Sequence, residues 1–121
     1  MNEGDWGTKP LANDYVLDIR DRLIQTNNDN FIKEIKRLSK SAPEEAWNAV
    51  GLCEFLIDAH IKLGIPYFLK HSVILELYEK AINNSDDEEW FKEWKEPEEI
   101  KASVENCRQN LKKYKKIIEE S

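Results

Sequence analysis

The chain has 121 residues, of which 40% are hydrophobic and 35% charged; it carries a net charge of −6. That length and balance predict one globular domain with a buried core, and they exclude a disordered chain. The acidic excess argues against nucleic acid as a partner, because phosphates are held by cationic side chains, and equally against an anionic membrane surface.

Residues 1–12 read as an irregular N-terminal arm, punctuated by Gly4, Gly7 and Pro10, with Trp6 and Leu11 as apolar handles. Asn13 is placed to cap a first helix, whose stripe is Val16, Ile19, Leu23 and Ile24. The polar run Gln25-Thr26-Asn27-Asn28-Asp29 predicts its end, and a short second helix follows with Phe31, Ile32, Ile35 and Leu38 at helical spacing. Ser41-Ala42-Pro43-Glu44 has the pattern of a capping box. It opens a third helix to Leu63, with Ala46, Ala49, Val50, Cys53, Leu56, Ile57 and His60 on one face. Trp47, Leu52 and Ile61 widen that face, which marks the helix as central. Gly64 and Pro66 stop it. A fourth helix is predicted over Tyr67 to Ile82, with Tyr67, His71, Ile74, Leu75, Tyr78 and Ile82 as its stripe.

Ser85-Asp86-Asp87-Glu88 repeats the capping pattern and opens a short acidic helix bearing Trp90, Phe91 and Trp94. Pro97 starts the last helix, where Ile100, Val104, Cys107, Leu111, Tyr114 and Ile118 form a narrow seam in steps of four and three. No run alternates as a strand would. The expected fold is all-α, a single-domain bundle of five to six helices spanning residues 1–121.

The segment Asp86–Glu99 holds eight carboxylates and two lysines, so it accounts for the entire net charge. Acids near a helix start are favoured by the helix dipole, and two tryptophans one turn apart are spaced as core anchors. The same block also suits docking to a basic protein partner, since charge steers encounter and aromatics anchor it. Both readings hold together if the indoles face inward and the carboxylates outward. The expected partner-binding residues are therefore Asp86, Asp87, Glu88, Glu89 and Glu93. The N-terminal arm is the other candidate contact surface.

No catalytic residue, cofactor or metal is expected. Cys53 and Cys107 sit in apolar helical patterns and read as reduced core thiols. His60 and His71 are the only histidines, with no Glu-x-x-His or His-x-x-x-His spacing; His60, on the apolar face, reads as a hydrogen-bonded core histidine. The alternative is a metal-dependent enzyme using both. The cations Arg108, Lys112, Lys113, Lys115 and Lys116 read as the solvated face and dipole-favoured end of the last helix. MNEGDWGTKP lacks the basic and apolar regions of a signal peptide, so a cytoplasmic location is expected.

WGTKPLANDYVLDIRDRL resembles the opening of a small bacterial domain family of unknown function, whose members begin Gly-x-Trp-Gly-x-Gly-x-Phe-(Asp/Glu)-Asn-Asp. Gly4, Trp6, Gly7, Asn13, Asp14, Leu17 and Asp18 match; Lys9, Leu11 and Ala12 depart. EEAWNAVGLCEFLIDAHIKLG is similar to the family's central helix, and EWFKEWKEPEEIKASVENCRQNL to its closing segment with paired tryptophans. The family brings no catalytic residues. By class, a small, acidic, all-helical bacterial protein without catalytic motifs is similar to the immunity proteins of interbacterial toxin systems, including contact-dependent growth inhibition. That resemblance implies a non-enzymatic inhibitor that covers the active site or substrate surface of a basic toxin, a nuclease. The alternative is an interaction module of another kind, or a homodimer joined through the seam of the last helix.

Overall fold

The computed structural model describes residues 14–119, and within the first helix the side chains of residue 25, residue 28 and those that follow. The arm and the Asn13 cap lie outside the described residues, and the stripe of Val16, Ile19, Leu23 and Ile24 outside the described side chains. Five helices and no strand occur among those described: α1 Asp14–Ser39, α2 Pro43–Leu63, α3 His71–Ser85, α4 Glu88–Phe91 and α5 Pro97–Glu119. None is long and apolar enough to cross a membrane.

The first two expected helices are one. Nothing between Asp14 and Ser39 is glycine or proline, so the polar run costs only a few tenths of a kcal/mol per residue in helix propensity. Asn28 is no turn residue: it is buried, and its side-chain amide donates to the backbone carbonyl of Tyr67. Both capping boxes are also displaced. Ser41 turns back to donate to the Arg37 carbonyl at the end of α1, and Ala42 precedes α2 with no side-chain cap. Ser85 ends α3 and donates to the Ala81 carbonyl, while Asp87 caps α4 by accepting from the Trp90 N–H at 2.9 Å.

Gly64 stops α2 in the left-handed conformation (φ 68°), and the N–H groups of Gly64 and Ile65 close onto the carbonyls of His60 and Ala59. α3 begins at His71, not Tyr67. Tyr67 is pulled into the core and its carbonyl is used by Asn28, and Phe68 sits at φ 55°; neither geometry continues a helix.

The four long helices run up, down, up, down. Phe31 of α1 stacks on Phe55 of α2. Lys101, Arg108 and Lys115 of α5 meet Glu88, Asp86 and Glu79 in turn, so α5 runs opposite to α3. Glu54 and Asp58 of α2 meet Cys107 and Tyr114 of α5 in the same sense. α3 lies against α1, α2 and α5, so it shares the central place expected of α2 alone. The α5 seam is buried from Ile100 to Ile118 as expected, and it is spent inside the bundle; a dimer would need another face. The Asn84 side chain caps the Ser39 carbonyl, tying the ends of α1 and α3 together. Hence the C-termini of α1 and α3, the N-termini of α2 and α5, and all of α4 share one end of the bundle.

Candidate functional site

That shared end is where the acids gather. The first turns of α2 and α5 bring Glu44, Glu45, Glu98 and Glu99 to the segment already carrying Asp86–Glu96. Positive N-terminal dipoles favour those acids locally. Crowding is visible at Glu99, whose side chain shares a hydrogen bond with Glu96 and whose carboxyl is pushed above the usual glutamate range. The opposite end carries the exposed lysines Lys112, Lys113 and Lys116 of α5. The acidic end also holds Lys36, Arg37 and Lys40 from the close of α1, so acids there outnumber cations without excluding them.

Four of the five expected partner-binding carboxylates already have partners within the chain. Asp86 accepts from Arg108 at 2.7 Å, and Asp87 is the cap of α4. Glu88 pairs with Lys101 at 3.2 Å, which raises the lysine above its ordinary range, and Glu89 pairs with Lys92 at 3.2 Å. These contacts are exposed except at Asp87, so each is worth little and can exchange. Glu93 makes no ion pair or hydrogen bond through its side chain among the described residues.

Glu93 instead borders a cleft of about 520 Å³ lined by Glu44, Trp47, Asn48, Trp90, Trp94 and Lys95. Two sequence-distant elements build it. α2 contributes Glu44, Trp47 and Asn48 from its first two turns. α4 and the turn after it contribute Trp90, Glu93, Trp94 and Lys95. Trp90 is the floor at 7% exposure; Trp94 stands at the lip at 42%. The rings of Trp90 and Trp94 meet edge to face, centroids 5.6 Å apart, and Trp47 lies 6.3 Å from Trp90 on the other side. One tryptophan thus faces inward as expected, while Trp94 does not, because α4 stops at Phe91 and the next turn carries Trp94 outward. A second hollow on the other flank of Trp90 shares Glu44 and Glu93 and adds Pro43, Asp87 and Glu89. Sequence reasoning missed Glu44 and Trp47 as site residues. Their only signal was a tryptophan beside, not on, the apolar face of α2.

Carboxylates beside open indole faces attract cations through charge and through the ring quadrupole. Nucleophilic chemistry has weaker support. Cys107 donates from Sγ to Glu54 Oε1 at 3.1 Å, and Tyr78 donates to the same oxygen at 2.9 Å. Burial first, then Glu54, pushes the Cys107 thiol up to about 12, and burial does the same for Cys53. An unfolded thiol ionises near 9.0, so both cysteines hold stability in full below that pH and lose it as pH climbs towards 12. Iodoacetamide at pH 8 is expected to label neither while the chain is folded. Labelling within about tenfold of the denatured rate would contradict this burial.

His60 and His71 do meet, ring centroids 5.4 Å apart, around Tyr67. His60 Nδ1 is engaged with the Ile65 carbonyl at 3.2 Å, and His71 Nδ1 with the Tyr67 hydroxyl. Among the described residues no group of three His, Cys, Asp or Glu side chains is placed to hold a metal ion. Arg108 is held by Asn83 and Asp86, and Lys115 faces Glu79. No family model, no curated protein and no solved structure matches this chain.

Proposed function

We propose that this chain is a non-enzymatic, protein-binding inhibitor of the immunity kind, which neutralises a basic toxin domain, a nuclease, by covering its cationic substrate surface. One observation carries the reading: carboxylates from the starts of α2 and α5 and from residues 86–96 meet at one end of the bundle, beside an open cleft walled by indoles. Charge at that end steers a cationic partner into contact, and the tryptophans supply the buried area that slows its release. The exposed pairs of Glu88 with Lys101 and Glu89 with Lys92 are weak enough to give way to a partner's arginines and lysines. The likeness of class to immunity proteins supports the same reading.

The test is to identify a basic domain encoded beside this chain and to measure inhibition and association kinetics with it. Stoichiometric protein is expected to suppress its nuclease activity. The double reversal Glu44→Lys/Glu93→Lys is expected to slow association at least about fivefold at low salt, with the difference shrinking as ionic strength rises. An unchanged association rate would remove this surface from the interface.

A further inference from the structure

The cleft has properties that a merely acidic surface lacks. It is concave, it has aromatic walls on two sides, and its two glutamates, Glu44 and Glu93, come from different elements. Neither glutamate has an ion pair or side-chain hydrogen bond among the described residues, whereas Asp86, Asp87, Glu88 and Glu89 each have one. Two unpaired carboxylates and three indoles against one lysine, Lys95, leave the cleft with a net negative charge that complements one cation.

Resting on the protein-docking reading above, we propose that the cleft between the first turns of α2 and residues 90–95 receives the guanidinium tip of a single arginine presented by the protein partner. The flat guanidinium stacks against an indole while its N–H groups reach carboxylates at the edge, which an ammonium does less well because it is compact and strongly hydrated. Trp94 provides the exposed face, Trp90 the floor and Trp47 the far wall. Glu44 and Glu93 set the charge. Lys95 at the lip is exposed, so its long stem can carry the ammonium into solvent when the arginine enters. The arginine is the anchor of the interface; the surrounding acids steer it there.

The test needs no partner. N-acetyl-arginine methylamide is titrated into the intact protein while the tryptophan indole N–H signals are followed by NMR, with the neutral isostere N-acetyl-citrulline methylamide alongside. Arginine is expected to move the Trp90 and Trp94 signals saturably, and citrulline to bind at least about tenfold more weakly, because it keeps the shape and loses the charge. Trp94→Ala, at an exposed position, and Glu44→Gln/Glu93→Gln are each expected to weaken arginine at least about fivefold with an unchanged fold by circular dichroism. Equal responses to arginine and citrulline would overturn the proposal. So would silence of the indoles in a protein whose Glu44→Lys/Glu93→Lys variant still loses association with the basic partner; in that case the docking surface survives and the arginine cleft does not.

Discussion

Tyr78→Ala is expected to cost about 3–5 kcal/mol, a large part of the total stability of a domain this size. The ring is wholly buried at the junction of α2, α3 and α5, 5.8 Å from the ring of Tyr114. Its single O–H proton is shared between Glu54 at 2.9 Å and, more weakly, the Cys107 carbonyl at 3.3 Å, so one side chain ties three helices. Truncation leaves a cavity in the element that touches the other three long helices, with few ways for the neighbours to close over it. A fall in melting temperature of at least about 10 °C should follow. Tyr78→Phe separates the contributions: it keeps the ring and removes only the hydrogen bonds, so a loss of about 1–2 kcal/mol is expected. Denaturant unfolding measures both. An alanine variant within about 1 kcal/mol of the parent would mean that this junction is not where the bundle is held.

Trp90→Ala and Trp94→Ala are expected to differ sharply although the residues are one turn apart. Trp90 is 7% exposed and touches the rings of Trp47, Phe91 and Trp94, whereas the Asp87 cap is made to its backbone N–H and survives the substitution. Its removal should cost about 3–5 kcal/mol and release α4 from the end of α2. Trp94, at 42% exposure, should cost less than about 1.5 kcal/mol. The two unfolding midpoints check this directly. Equal losses would show that Trp94 is as much a core residue as Trp90, and the cleft would lose its exposed wall.

The division of labour at this end of the bundle follows from those burial differences. Trp90 and Phe91 fasten a four-residue helix that is too short to persist alone. Once it is fastened, the following turn holds Glu93 and Trp94 against α2. Trp90 thus serves both as core and as cleft floor, while Glu93 and Trp94 border the cleft without being buried.

Much of the architecture was legible in the residues. The α5 seam, the buried face of α2 from Ala46 to Ile57, the Gly64 stop and the Pro97 start are all local signals, written in spacings of three and four or in the special backbone of one residue. The errors have a common origin. Asn28, Ser41 and Ser85 each suggested a boundary because such residues satisfy backbone groups nearby, but Asn28 spends its amide on the carbonyl of Tyr67, 39 positions away, and Ser41 and Ser85 bond back to the helix behind them instead of capping the one ahead. Short polar side chains read the same whether their partner lies ahead, behind or far off in the sequence.

By themselves the residues determined an all-helical chain, its apolar stripes and the presence of an acidic, tryptophan-bearing segment. Only the tertiary structure decided which of those acids are engaged and which stand free. Helical periodicity reports on neighbours one turn away, whereas Glu44 and Trp47 reach Glu93 and Trp94 only because up-and-down packing returns the start of α2 to the end where α4 lies. Lys101 and Arg108 of α5 pair with Glu88 and Asp86 because α5 folds back along α3, and so the weight of the candidate site moves onto a pair that no local pattern joins.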